Sequence, residues 1–214
     1  MEHKFVNINC DMGEGIGDDA GLMPFISSCS IACGGHAGNT NSMRKTVVLA
    51  KGYNVKVGAH PSYPDRENFG RISMAIPDND LIETIQEQIE SLVSVLKREK
   101  MELHHIKPHG ALYNDIAKDG HLASVFLKAL NKYGSRTCLY VPYASLIAEK
   151  ALRRGFRIRY EAFGDRRYQK DLSLVSRSKE GALILDPKKV LEQVMGITNN
   201  NEVRVIEGKT KKIL

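Results

Sequence analysis

The sequence has 214 residues, of which 42% are hydrophobic, and a formal net charge of +6 at pH 7. This length and composition predict one globular domain, residues 1–214, with enough apolar residues for a core. Neither a run of about 18 apolar residues nor a signal segment is present, which predicts a cytoplasmic protein without a membrane span. The positive charge is scattered and has no aromatic-interleaved basic stripe, which argues against nucleic acid as a partner.

The cysteine content favours reduced thiols. Four cysteines, Cys10, Cys29, Cys33 and Cys138, are too few for a disulfide framework in a chain of this size. Cys29, Cys33 and His36 have a loosely metal-like spacing, but it is not a CxxC knuckle and no second pair completes it. Buried small residues are therefore the favoured interpretation of these cysteines.

Apolar strand patterns and helical patterns alternate along the chain, as in parallel α/β folds. Strands are predicted at residues 5–8, 30–32, 55–59, 103–106, 137–141 and 157–161. Helices are predicted at residues 42–51, 78–100, 119–133, 143–154 and 188–197, and a basic hairpin at residues 203–214. These elements predict an α/β domain built as a β/α barrel.

Two segments between these elements are candidate binding loops. Residues 11–17 form a Gly-rich turn that could bring backbone N–H groups to an anion, although neither GxGxxG nor GxxxxGK[ST] spacing occurs. Residues 60–71 form a long loop with two prolines, two arginines and two acids. Loops of this length in a compact domain are usually functional.

Polar side chains follow most of the predicted strands where each strand ends. The residues predicted to converge are Asp11, His36, His60, Lys107, His109, Glu161 and Asp165. Parallel βα folds place their active sites at this end of the strands. Carboxylates and imidazoles can act as general acid and base, a lysine stabilises negative charge, and an Asp with two histidines equally suits a divalent metal. The residues alone predict a hydrolase or ligase acting on a small anionic molecule, with metal use undecided.

Five segments resemble, in matching order, the signature motifs of the LamB/YcsF family, whose members are similar to the A subunit of 5-oxoprolinase. They are NINCDMGEG, SIACGGHAG, VGAHPSYPDRENFGR, HIKPHGALYN and EAFGDRRY. The resemblance implies a distorted seven-stranded β/α barrel of the glycoside hydrolase/deacetylase-like type. It also implies a final strand with a His-Gly-Asp motif, which these 214 residues do not contain, so a barrel lacking its last strand is expected.

The resemblance further implies an ATP-dependent lactam hydrolase that works with partner subunits B and C. Such an enzyme cleaves 5-oxo-L-proline to L-glutamate and uses ATP, with Mg²⁺, as co-substrate. A tightly bound divalent metal and a homo-oligomer stay open. Two alternatives also stay open: a metal-dependent deacetylase or carbohydrate-type hydrolase, and a non-catalytic subunit with a decayed site.

The residues expected to be catalytic are Asp11, His60, Lys107, His109 and Glu161. Either Asp11 or Glu161 would act as the base. His60 and His109 would assist proton transfer. Lys107 would hold a phosphate or the substrate carboxylate, together with an arginine.

The residues expected to bind substrate or nucleotide are Asn9, Gly13, Glu14, His36, Arg71, Asn114, Asp165 and Arg166. Arg71 or Arg166 is the expected anion-binding partner of Lys107. For a bound divalent metal, the expected ligands are Asp11, His36 and His60.

Overall fold

A computed structural model of the chain describes residues 6–134 and 136–213. Six parallel strands form one sheet in which each strand pairs with its neighbour in sequence. They are β1 (Asn9–Met12), β2 (Ser28–Ala32), β3 (Lys56–His60), β4 (His105–Ile106), β5 (Cys138–Pro142) and β6 (Arg157–Glu161). The sheet curls into a half-barrel with β1 and β6 as its outer strands, which confirms the predicted α/β fold class.

The helices lie mainly between successive strands, as βα units require. Those described are α1 (Asp19–Leu22), α2 (Thr40–Gly52), α3 (Asp78–Arg98), α4 (Gly110–Lys118), α5 (Gly120–Ala129), α6 (Leu146–Arg153) and α7 (Pro187–Asn200). A short antiparallel hairpin, β7 (Glu202–Arg204) and β8 (Thr210–Lys212), follows α7. None of the helices in the described ranges is both long and apolar enough to cross a bilayer.

Local sequence explains where the main helices begin and which face they bury. The Asn39 side chain accepts hydrogen bonds from the backbone of Asn41 and Ser42 and caps α2. The apolar stripe of α3 is buried as predicted, at Leu81, Ile85, Ile89, Leu92 and Leu96. A smaller buried cluster, Tyr168, Val203, Val205 and Ile213, holds the C-terminal hairpin. The hairpin prediction is thus confirmed, although residue 214 lies outside the described residues.

Three predicted boundaries are wrong. The first strand is Asn9–Met12 rather than residues 5–8; residue 5 lies outside the described ranges, and Val6 and Ile8 are 39% and 45% exposed. A helix, α4, begins at Gly110, where the sequence predicts only a turn. The predicted helix 119–133 is shorter, because α5 ends at Ala129. Other predicted ends differ by a few residues, as hydrogen-bonded boundaries commonly do.

Candidate active site

The carboxyl ends of the strands bring a network of ionisable side chains together. Asp11 lies in β1, His60 ends β3, Lys107 follows β4 directly, and Glu161 ends β6. Lys107 contacts both Asp11 and Glu161, which come from the two outer strands of the sheet. These contacts therefore span the interior of the half-barrel.

Lys107 is the centre of one half of this network. Its Nζ lies 2.8 Å from Glu161 Oε1 and 3.0 Å from Asp11 Oδ1, and donates to Asn9 Oδ1 at 3.2 Å. Burial alone would lower the pKa of Lys107, but the charges of Asp11 and Glu161 raise it above its ordinary value. Burial alone would raise the pKa of Asp11, but His60 and Lys107 hold it well below its usual range. Burial raises the pKa of Glu161. Lys107 and Asp11 are therefore both charged at neutral pH.

Glu14, His36, His60 and His109 form the other half, which we call the histidine cluster. His60 Nε2 and His109 Nδ1 are 2.9 Å apart. Glu14 Oε1 lies 3.0 Å from His36 Nε2, 3.4 Å from His109 Nδ1 and 4.0 Å from His60 Nε2. Asp11 Oδ2, 3.3 Å from His60 Nε2, connects the cluster to Lys107.

Backbone carbonyls fix the orientation of two of the three imidazoles. His60 Nδ1 lies 2.7 Å from the Lys107 carbonyl oxygen, and His109 Nε2 lies 3.0 Å from that of Phe69. A carbonyl oxygen only accepts, so these outward nitrogens carry the protons in the neutral rings. Burial lowers the pKa of His36, and burial with the charges of His60 and His36 lowers the pKa of His109 to about 2. The inward nitrogen of His109 is therefore unprotonated at neutral pH.

Two glycines with positive φ place the loops that carry the cluster. Gly13 has φ +72° and its N–H donates to Asp19 Oδ2 at 2.9 Å, so this amide is already engaged before the chain reaches Glu14. Gly110 has φ +59°, and a Cβ added there would lie 2.3 Å from the Gly70 carbonyl oxygen. Only glycine therefore allows α4 to start directly after His109.

His105 is a buried residue beside the site that the sequence analysis did not single out. Its Nε2 lies 3.1 Å from Ser30 Oγ and 3.3 Å from Asn9 Nδ2, and its ring stacks on Tyr140 with centroids 4.1 Å apart. Burial holds the pKa of His105 well below its ordinary value. Since Asn9 contacts both His105 and Lys107, this neutral imidazole supports the network from below. The available signal was a histidine at a buried strand position.

The remaining predicted binding residues lie around this network. Arg71, Asn114 and Asp165 are exposed, whereas Arg166 is buried. The Arg71 guanidinium lies 4.8 Å from the centre of the Phe69 ring, whose carbonyl oxygen contacts His109. Asn114 Nδ2 donates within α4 to Gly110 O, and Arg166 donates to the Val175 carbonyl oxygen at 2.7 Å. Arg71 is the one of these four that flanks the histidine cluster through a direct neighbour.

The expected metal ligands Asp11, His36 and His60 are only partly grouped as predicted. The structure places Glu14 and His109, rather than Asp11, with His36 and His60 in a set whose ligand atoms all lie within 4.8 Å of one another. Cys29 and Cys33 are buried free thiols, and Cys33 Sγ donates to the Ile31 carbonyl oxygen at 3.0 Å. Burial thus accounts for the two cysteines without a metal.

The model of the LamB/YcsF family matches residues 6–213. The chain belongs to the LamB/YcsF family. Relatives named as the A subunit of 5-oxoprolinase, from Chloroflexus aurantiacus and Pyrococcus furiosus, are each 40% identical over 208 residues, which is 95% of this chain and 82% of theirs. The relative with that name from Bordetella pertussis is 38% identical over 210 residues, which is 96% of this chain and 83% of its own.

A solved LamB/YcsF structure has the same fold. The lactam utilization protein from Thermus thermophilus superposes with a TM-score of 0.91 at 33% identity, and covers 97% of this chain and 86% of its own. The family resemblance and the β/α-barrel fold predicted from the sequence are both confirmed. The lettered name of the 5-oxoprolinase relatives makes each of them one part of an assembly with other subunits.

Proposed function

We propose that the chain is the A subunit of an ATP-dependent 5-oxoprolinase. With subunits B and C it would convert 5-oxo-L-proline to L-glutamate and couple this to hydrolysis of ATP. The names of its LamB/YcsF relatives support the lactam reaction. The observation that carries the proposal is the Asp11 carboxylate, which is 31% exposed and held in its ionised form between Lys107 and His60.

Asp11 fits the role of general base better than Glu161. A five-membered lactam is an unreactive amide, so ATP would phosphorylate its carbonyl oxygen before water attacks. The attacking water needs an accessible, ionised base. Asp11 meets both requirements, whereas the Glu161 side chain is 10% exposed, has a raised pKa and lies 2.8 Å from Lys107. Glu161 would therefore anchor Lys107, and Lys107 would keep Asp11 charged.

His60 and His109 would position Asp11 rather than carry protons to solvent. Their outward nitrogens contact the carbonyl oxygens of Lys107 and Phe69, and both rings are buried. His60 Nε2 faces Asp11 Oδ2, and His109 Nδ1 faces His60. The rings therefore fix where the carboxylate sits and how much negative charge surrounds it.

Anionic substrates need more positive charge than Lys107 supplies, because that ammonium already contacts two carboxylates. Arginines at the rim would provide it. Burial lowers the pKa of both Arg71 and Arg166, and the charge of Arg177 lowers both further, so the three guanidinium groups lie within electrostatic range of one another. Glu14 acts on Arg71 in the opposite direction. We place the phosphate and carboxylate contacts on these arginines, and Mg²⁺ would enter with ATP.

The test is reconstitution of the full chain with the B and C subunits that accompany a LamB/YcsF relative. Glutamate and ADP are measured after addition of 5-oxoproline and MgATP. The proposal predicts equal amounts of both products, and neither product when the chain, ATP or 5-oxoproline is left out. An assembly that forms but produces no glutamate would refute the proposed function.

The histidine cluster favours a second candidate, a metal-dependent deacetylase or carbohydrate-type hydrolase. Three imidazoles and a carboxylate can activate water on a bound cation without ATP. Hydrolysis of an N-acetylated sugar by the isolated chain, unaffected by ATP, would support this candidate over the lactam reaction.

A further inference from the structure

The strongest unexplained feature of the structure is the convergence of hydrogen-bond acceptors in the histidine cluster. Because carbonyl oxygens occupy the outward nitrogens of His60 and His109, their neutral rings point two lone pairs at each other across 2.9 Å. Glu14 Oε1 lies 3.4 Å and 4.0 Å from the inward nitrogens of His109 and His60, and Asp11 Oδ2 lies 3.3 Å from His60 Nε2. Buried acceptors that face one another without a donor are destabilising. A cation between them would remove that cost.

We propose that Glu14, His36, His60 and His109 bind one divalent transition-metal ion. The ligand atoms are Glu14 Oε1, His36 Nε2, His60 Nε2 and His109 Nδ1, which all lie within 4.8 Å of one another. This inference concerns the metal content of the site and holds for the isolated chain, whichever reaction the assembly performs.

The distances between the ligand atoms fit a four-coordinate ion. Metal–nitrogen bonds of 2.0–2.1 Å in a tetrahedron put neighbouring ligand atoms about 3.3–3.4 Å apart. The observed separations of 2.9, 3.0, 3.4 and 4.0 Å lie on both sides of that value, so small side-chain rotations bring all four atoms into place. The three histidine residues are at most 8% exposed, so the rings are held by packing.

The contacts behind the ligands also match a metal site. Histidine ligands usually donate their second N–H to a carbonyl or carboxylate, which fixes the tautomer that leaves the other nitrogen free. His60 and His109 do this with the Lys107 and Phe69 carbonyl oxygens. His36 is held differently: its ring stacks on His109 with centroids 3.6 Å apart, and its Nδ1 is buried without a partner among the described residues.

The donor set selects the kind of ion. Imidazole nitrogens suit Zn²⁺, Co²⁺ and related ions, whereas Mg²⁺ prefers oxygen ligands and retains its water. Asp11 stands next to the ligands, with Oδ2 3.3 Å from His60 Nε2, and is partly exposed. It is therefore placed to accept a proton from a water molecule bound beside the metal.

The test is calorimetric titration of the full chain, after chelator treatment and dialysis, with Zn²⁺, Co²⁺ and Mg²⁺. We expect one equivalent of Zn²⁺ or Co²⁺, visible absorption bands of four-coordinate Co²⁺, and much weaker Mg²⁺ binding. Loss of a residue that merely supports a metal ligand costs roughly 10–100-fold in affinity, so the isosteric Glu14→Gln and the ring deletion His60→Ala should each cost more than about 100-fold.

His121 supplies the matched control, because it lies far along the chain at the start of α5, is 72% exposed and contacts Asp78 at 3.0 Å. His121→Ala should bind metal as the unaltered chain does. The alternative occupant of the cluster is a proton shared by His60 and His109. Absence of stoichiometric binding, with ¹⁵N spectra showing a protonated imidazole pair, would overturn the metal proposal. Binding that survives Glu14→Gln and His60→Ala but not His121→Ala would also overturn it.

Discussion

Replacing Lys107 with Met tests whether the buried ammonium holds the two outer strands together. The substitution leaves the Asp11 and Glu161 carboxylates facing each other without a countercharge. Breaking a buried ion pair from one side costs about 3–5 kcal/mol. Asp11 is 31% exposed and can hydrate, and Glu161 can take up a proton, so we expect the low end, about 3 kcal/mol. For a chain of this length that lowers Tm by roughly 6–12 °C.

The assay is urea unfolding followed by circular dichroism. Lys128→Met, at an exposed position near the end of α5, should change the unfolding free energy by less than about 0.5 kcal/mol. The double variant Lys107→Met/Glu161→Gln should recover on the order of 1 kcal/mol, because one uncompensated charge is removed. A Lys107→Met protein within about 1 kcal/mol of the unaltered chain would refute the reasoning.

The pH dependence of this difference follows from the two pKa shifts. The folded-state pKa of Asp11 is depressed, so its stabilisation is present above its unfolded pKa of about 3.9 and is lost as the pH falls towards the folded value. The pKa of Lys107 is raised, so its contribution is complete below about 10.4. The gap between the unaltered chain and Lys107→Met should therefore be constant near neutral pH and shrink below about pH 4.

Two further predictions concern backbone and thiols. Gly110→Ala should destabilise the fold by more than about 2 kcal/mol, since it adds positive-φ strain of about 1 kcal/mol to a 2.3 Å approach to Gly70 O; Gly155→Ala, with φ +75° and open space, should show the strain alone. Equal losses of unfolding free energy in the two variants would contradict this. Burial raises the pKa of Cys29 and Cys33 to about 12, so only about one thiol in ten thousand is ionised at pH 8. Mass spectrometry should find both unalkylated by iodoacetamide until urea unfolds the chain, and rapid labelling of the native protein would contradict that account.

The sequence predicts the strand order and most tip residues because apolar runs and the residues that follow them are local features. It misplaces β1, since Asn9 and Asp11 are polar and are stabilised in the strand by a lysine almost a hundred residues away. It misses α4 because Gly110 resembles a turn residue, and here the same positive φ begins a helix. The place of Glu14 beside the histidines depends on how the Gly13 loop folds back, which residue spacing does not record.

The measurement that tests the central claim most directly is turnover of the reconstituted assembly with Asp11→Asn. General-base catalysis contributes about 10²–10⁴-fold, so kcat for glutamate formation should fall by at least about 100-fold while assembly is unchanged. Asp78→Asn, at an exposed carboxylate in the first turn of α3, is the matched control and should keep full activity. An Asp11→Asn assembly that turns over within about threefold of the unaltered one would contradict the assignment of this site as the catalytic centre.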